Sequence, residues 1–369
     1  MNPGRVQYLE IDGVRMHTVG WAPATDASGI PDAATTDAAT PAAATPAAGG
    51  RQILLVHGLG ANTLSWQPVG QLLADRFDAA VTAVDLIGFG RTRAPERRAT
   101  IATNRDLVLG LLEQIGPATI FGNSMGGVIG TGVTARRPDL VDALVLVNPA
   151  LPWGRVPPSS WVRVARYMPV MMPSLGRRTV SARARMLGPE RLVDLSLGVT
   201  LHDPERLDPD LRRRLVLLAA ERFAYPEAAA AYADAARTLI QEVAGDFDAD
   251  LAVAAAARPT LLVHGAEDAL VSVAFARAAA VRHGTVDLCV LDGVGHAPQL
   301  EAPERFMAIV ERFLDEACGV PAPGHGGPSD ERMEPHDGSD SRATWRTRGP
   351  GRGSAAASSA SPSAPSSPS

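Results

Sequence analysis

The chain has 369 residues, 46% of them hydrophobic, two cysteines and a formal net charge of −5. The acidic balance argues against a general nucleic-acid binder, and Cys289 and Cys318 are too few for a disulfide framework or a cysteine metal cluster. All 35 basic residues are arginine, which excludes a Schiff-base lysine, a lysine anchor for pyridoxal phosphate, and a P-loop.

The N-terminal segment Met1-Asn2-Pro3-Gly4-Arg5-Val6 lacks an apolar core, and Glu10 and Asp12 follow soon after it. No run is long and apolar enough to span a bilayer, so a cytoplasmic protein without a transmembrane segment is expected. Residues 1–21 read as a hairpin of two strands, 5–11 and 14–19, turning at Asp12-Gly13. Residues 22–50 are almost entirely Ala, Pro, Thr, Gly and Asp, and residues 319–369 are rich in Gly, Pro and Ser. Neither segment carries enough apolar surface to offset the entropy of ordering it, so a disordered insertion and a disordered tail are expected.

Ile53-Leu54-Leu55-Val56 is a continuous apolar run, as in a strand covered on both faces. A helix through Trp66, Val69 and Leu72-Leu73 follows, then a strand over 80–84. The loop 85–92 leads to a helix with Leu107, Leu111 and Leu112 on one side. Strand 118–121 and helix 128–137 flank a glycine-rich turn, and strand 143–147 comes next. The sheet pattern stops there and resumes with strands 260–263 and 286–291, before a last helix over 304–316. Strands alternating with helices predict a mostly parallel sheet with helices on both faces. The expected organisation is core over 51–150, a helical cap over 151–250, and core again over 251–318.

The turn Gly122-Asn123-Ser124-Met125-Gly126-Gly127 holds a serine between strand and helix. A Cβ at position 122 or 126 would collide with neighbouring backbone, so the two glycines permit a sharp turn that lifts the Ser124 hydroxyl above the sheet. That is the G-x-S-x-G nucleophile elbow. Attack on a carbonyl also needs a base, a group that orients the base, and donors for the oxyanion.

His296, in Gly293-Val294-Gly295-His296-Ala297-Pro298 after the last strand, is the candidate base; His57 and His264 read as structural. Asp268, in the loop after strand 260–263, is the candidate acid, with Glu267 as its neighbouring rival. The strand after the nucleophile helix ends in uncharged Asn148, which lends support to Asp268 as the acid. Met125 N–H, at a helix N-terminus, is one oxyanion donor. The second comes from His57-Gly58-Leu59-Gly60, with Leu59 preferred and Gly60 next. A dinucleotide fingerprint fails there, because Thr63 occupies the third glycine position.

Together, His57-Gly58-x-Gly60, Asp85-x-x-Gly88-x-Gly90, Gly122-x-Ser124-x-Gly126-Gly127, Asp268 and Gly295-His296 resemble the α/β-hydrolases, over roughly residues 5–150 and 255–317. The resemblance implies an α/β-hydrolase fold: an eight-stranded, mostly parallel sheet with a helical cap inserted after Asn148. Epoxide hydrolases and haloalkane dehalogenases of this superfamily use an aspartate nucleophile, and Ser124 argues against both. Asn123 before the serine is similar to meta-cleavage-product hydrolases, which break carbon–carbon bonds. Those enzymes commonly have Trp after the catalytic histidine, whereas Ala297 stands here. Hydrolysis of a carboxylic ester by Ser124, Asp268 and His296, without cofactor or metal, is the expectation. Carbon–carbon cleavage is its enzymatic rival, and a non-catalytic binding protein on the same fold is the rival from another class.

Within the expected cap, Arg155, Arg163, Arg166, Arg177, Arg178, Arg183, Arg185 and Arg191 face one acid, Glu190, and Trp161, Val164, Met168 and Met171 recur at helical spacing among them. An amphipathic lid with solvated arginines is the plainer expectation. The sharper one is that these arginines attract an anionic substrate tail or an acidic acyl carrier, and a membrane-surface role is a third. Met168, Met171 and Met172 would suit a hydrophobic acyl pocket, or only pack the lid onto the core.

Overall fold

The computed structural model describes residues 2–24, 50–152, 173–318 and 343–346. Among the described residues nine strands form one sheet, in the order β1 (Arg5–Ile11), β2 (Val14–Trp21), β4 (Ala79–Val84), β3 (Arg51–Val56), β5 (Ala118–Asn123), β6 (Val141–Val147), β7 (Thr260–Gly265), β8 (Val286–Leu291) and β9 (Ala343–Arg346). The hairpin β1 (Arg5–Ile11) and β2 (Val14–Trp21) turns at Asp12-Gly13, where both residues have positive φ, and β2 joins β4 (Ala79–Val84) antiparallel. Strands β3 (Arg51–Val56), β4, β5 (Ala118–Asn123), β6 (Val141–Val147), β7 (Thr260–Gly265) and β8 (Val286–Leu291) run parallel.

The ninth strand is a departure from the expected eight. Ala343–Arg346, inside the segment read as tail, pairs antiparallel with β8 as β9. Its tetrapeptide Ala-Thr-Trp-Arg carries an aromatic and a β-branched residue in an otherwise Gly/Pro/Ser-rich stretch, and the Arg312 guanidinium lies 4.5 Å from the Trp345 ring.

Successive side chains of the central strands enter opposite apolar layers. Leu54, Val56, Ile120, Leu144, Leu146 and Leu262 face one layer, and Ile53, Leu55, Phe121, Val145, Val147, Leu261 and Val263 face the other. Burial on both faces explains why these strands read as continuous apolar runs. Helices α1 (Gln67–Phe77), which the short turn Thr63–Trp66 precedes, and α9 (Pro303–Cys318) cover one face. Helices α2 (Ile101–Ile115), α3 (Met125–Arg136) and α7 (Phe247–Ala257) cover the other. Helix α3 is buried almost all round, since α2 and α7 flank it.

Between β6 and β7 the chain leaves the sheet. It forms α4 (Pro173–Thr200), kinked at Gly188-Pro189, then α5 (Pro209–Arg222) and α6 (Ala228–Ala244). Helices α5 and α6 pack against α4. Helix α8 (Val273–Arg282) lies beside β7 and β8. No helix among the described residues is long and apolar enough to cross a membrane.

Candidate active site

Ser124 sits between β5 and α3 at φ 53° and ψ −112°, a backbone conformation that costs an L-residue about 1–3 kcal/mol. The surrounding glycines are obligatory. A Cβ on Gly122 would lie 2.4 Å from the Gly126 carbonyl oxygen, and one on Gly126 would lie 2.2 Å from that of Val56. Hydrogen bonds hold the strained residue on both sides. The Ser124 N–H donates to Val147 O at 3.0 Å, and Gly127 N–H donates to Ser124 O at 3.0 Å.

Asp268 follows β7 in a tight loop. Its Oδ1 accepts N–H bonds from Leu270 (2.7 Å) and Val271 (3.0 Å). Its Oδ2 takes the Nδ1–H of His296 at 2.7 Å. Burial would raise the Asp268 pKa, but the charge and hydrogen bond of His296, with His264 and Val271 N–H, outweigh it and hold the carboxyl at about 2. The neighbouring Glu267 is engaged elsewhere: its Oε2 accepts Val294 N–H at 3.0 Å and braces the loop that carries His296.

The elbow and the His296 loop meet through Asn123, whose Nδ2 donates to Val147 O (3.0 Å) and to His296 O (3.2 Å). The residue before the serine thus ties the elbow to the backbone of His296. Sequence reasoning treated Asn123 only as a mark of resemblance and missed this bridge.

The turn after β3 closes over the same point. A Cβ on Gly58 would lie 3.1 Å from Ser124 Cβ and 3.3 Å from Asn123 Oδ1, so a side chain there would press the elbow back by a few tenths of an ångström. His57 orients it. The Nε2 of His57 accepts Leu86 N–H at 3.0 Å, which leaves the proton on Nδ1 to donate to Gly58 O at 2.7 Å. Fixing that carbonyl fixes the opposite pole of the same planar peptide, the Leu59 N–H. Burial lowers the His57 pKa and keeps the ring neutral for this task. Neither Leu59 nor Met125 N–H bonds to another described residue. His264 is buried, with Nε2 3.0 Å from Val271 O and 3.5 Å from Asp268 Oδ2.

Two residues that the sequence reading did not place in the site support it. Asn148, at φ 43°, donates from Nδ2 to Asp268 Oδ2 at 2.7 Å and accepts Gly265 N–H on Oδ1. Asp85 is fully buried; its Oδ1 accepts Thr63 N–H (2.7 Å), its Oδ2 accepts Arg91 N–H (2.8 Å), and His17 Nδ1 lies 2.8 Å from Oδ2. A Cβ on Gly90 would overlap the Asp85 carboxylate at 2.0 Å, which explains the Asp85-x-x-Gly88-x-Gly90 spacing.

Helix α6 lies against the turn after β3 and the loop after β4. A Cβ on Gly60 would meet the Tyr232 ring at 3.1 Å, and one on Gly88 would meet Ala231 Cβ at 2.4 Å. Arg222 at the end of α5 reaches beneath, donating to Gly88 O (2.7 Å) and Gly90 O (2.8 Å). Arg155, Arg163, Arg166, Trp161, Val164, Met168, Met171 and Met172 lie outside the described residues, as do the side chains of Arg177 and Arg183. Arg178, Arg185 and Arg191 are exposed. No cluster of three or more potential metal ligands occurs among the described residues.

Residues 53–309 match the Alpha/beta hydrolase family. The chain belongs to that family. Among curated relatives, an uncharacterised protein of Mycobacterium tuberculosis is 29% identical over 279 residues, covering 72% of this chain and 76% of the relative. The 2-hydroxymuconate semialdehyde hydrolase of a Pseudomonas strain is 26% identical over 286 residues, 73% of this chain and 88% of the relative. Among solved structures, a bacterial membrane phospholipase A shares the α/β-hydrolase fold with TM-score 0.62 at 20% identity, over 86% of this chain and 87% of its own.

Proposed function

We propose that this α/β-hydrolase cleaves a carboxylic ester of a small or medium hydrophobic acyl group through Ser124, His296 and Asp268. The observation that carries the reading is the 2.7 Å Asp268–His296 pair, on a loop that Asn123 ties to the strained, glycine-walled turn of Ser124. His296 Nε2 takes the Ser124 Oγ proton as the oxygen attacks the ester carbonyl, and the Leu59 and Met125 N–H groups hold the oxyanion. The proton passes to the departing alcohol, leaving an acyl-serine. Water then attacks that ester, giving its proton to His296, and the proton returns to Ser124 as the acid leaves. Asp268 keeps the imidazole in the Nδ1–H tautomer and stabilises its charged form. None of these steps requires a cofactor.

The experiment is labelling of the purified protein and Ser124→Ala with a fluorophosphonate probe, followed by turnover of p-nitrophenyl esters of graded chain length. Labelling of the wild type alone supports the reading. Equal labelling of both, or of neither, sinks it.

Carbon–carbon hydrolysis is the second reading. It is supported by the likeness to 2-hydroxymuconate semialdehyde hydrolase and by Asn123 before the nucleophile. Its substrate would be a vinylogous diketone acid. Turnover of that class at a kcat/KM above that of every ester in the panel would replace the ester assignment.

A further inference from the structure

Glu301 stands five residues after His296, at the end of the helical turn Pro298–Glu301, with its carboxylate fully buried. Three backbone N–H groups converge on it. Oε2 accepts Gly295 N–H at 2.7 Å and His202 N–H at 3.1 Å, and Oε1 accepts Asp203 N–H at 2.8 Å. One donor adjoins the candidate base. The other two belong to the chain that leaves α4 in the cap.

The same two parts of the chain meet in four further ways. His296 N–H donates to Thr200 O at 2.6 Å. A Cβ on Gly295 would lie 2.6 Å from His202 N and 2.7 Å from Thr200 O, so glycine is needed for the approach. Arg206 donates to Gly293 O at 2.9 Å and sits 3.9 Å from Glu301 Oε1. Leu197, Leu201, Leu207 and Leu211 of the cap form an apolar cluster with Ala297 and Leu300 around this joint. A buried carboxylate with several charge-assisted bonds to two segments fixes their relative position far better than apolar contact alone.

We propose that Glu301 is a positioning residue for His296, locking the base loop to cap residues 200–203 so that the cap sets the place of the imidazole. The inference rests on the serine-hydrolase reading. Glu301→Gln keeps the volume but replaces one acceptor oxygen by an NH₂ that points at a backbone N–H, so at least one tie is lost.

The test compares the full-length wild type with Glu301→Gln and Glu301→Asp. Active-site titration fixes the fraction of reactive serine, and kcat and KM are then measured per titrated site on a p-nitrophenyl ester. The far-downfield proton resonance of His296 Nδ1–H is recorded in parallel, and it needs no turnover. Glu301→Gln should lower kcat per site about 100-fold, the scale of a small misplacement of a catalytic group, with KM almost unchanged. Its Nδ1–H resonance should shift. Glu301→Asp, which keeps both acceptor oxygens, should recover part of the rate.

A purely structural role would lower the melting temperature and the active fraction but leave kcat per site and the resonance as in the wild type; that outcome overturns the proposal. Should Glu301→Gln not fold, Arg206→Met removes the Gly293 tie from a half-exposed position. It should reduce kcat per site several-fold, and an unchanged value overturns the proposal. Should the wild type neither label nor turn over, the hydrolase reading fails, and the resonance alone decides whether Glu301 positions His296.

Discussion

The Asn148 amide donates to Asp268 Oδ2 at 2.7 Å, the same oxygen that takes the His296 Nδ1–H. The end of β6, where the chain leaves the sheet, is thereby joined to the candidate acid. Oδ2 has two lone pairs and both are used, so the carboxylate cannot rotate without breaking one of these bonds. Asn148→Ala should lower kcat/KM about 10- to 100-fold, the scale of one lost hydrogen bond to a charged group. Circular dichroism should report the same fold. An unchanged kcat/KM would show that the loop amides of Leu270 and Val271 orient Asp268 by themselves.

Much of this arrangement could be read from the chain, and the exceptions have physical reasons. Ser124, Asp268 and His296 each sit in short glycine-rich turns after apolar runs, because both demands are local: a strand covered on both faces, and a backbone no Cβ could follow. Asn148 and Glu301 carry no such local mark. Asn148 looks like an ordinary polar residue at a strand end, and Glu301 like a surface acid in an amphipathic helix. Their roles depend on partners 120 and about a hundred positions away, which only the folded chain brings together. The strand 343–346 was hidden for another reason. Four residues within a Gly/Pro/Ser-rich stretch cannot show an alternating pattern, and the sheet edge of β8 supplies the partner.

Strain at the elbow makes a prediction about stability. Ser124 occupies φ 53° and ψ −112°, a region that glycine enters freely and alanine does not. Ser124→Gly and Ser124→Ala should both lose several orders of magnitude in kcat if the serine is the nucleophile. They should differ in stability, with Ser124→Gly the more stable by about 1 kcal/mol. Thermal melts of the two variants give the answer. Equal melting temperatures would mean that the elbow relaxes once the hydroxyl is gone.

Acid stability should depend on Asp268. Its pKa falls from 3.8 to about 2 in the folded protein, so the unfolded chain binds a proton more readily than the folded one. The stabilisation is then fully present above pH ~4 and is lost as the pH drops through ~2, amounting to roughly 2 kcal/mol. Asp268→Asn has no such group to titrate. Denaturant unfolding between pH 5 and 2 should show the wild type losing its advantage over Asp268→Asn across that window. Parallel pH curves would place the acid-sensitive group elsewhere.

Arg222 joins α5 to the loop after β4 where charge is hardest to replace. Burial lowers its pKa, and its two bonds to Gly88 O and Gly90 O hold the loop whose Asp85 fixes Thr63 and Arg91. Around it run more exposed pairs, Arg91–Glu221, Arg93–Glu227 and Arg98–Asp234, each linking residues 91–98 to residues 221–234. Exposed pairs contribute ~0–1 kcal/mol and weaken in salt, whereas loss of a buried charged donor costs about 1.5–3 kcal/mol for each bond. Arg222→Met should therefore loosen α5 and α6 more than 0.5 M salt does to the wild type. Limited proteolysis gives the readout: the variant should be cut within 209–244 at low salt, while the wild type resists cleavage there even in high salt. If salt opens the wild type as far as the substitution does, the exposed pairs, and not Arg222, hold α5 and α6 in place.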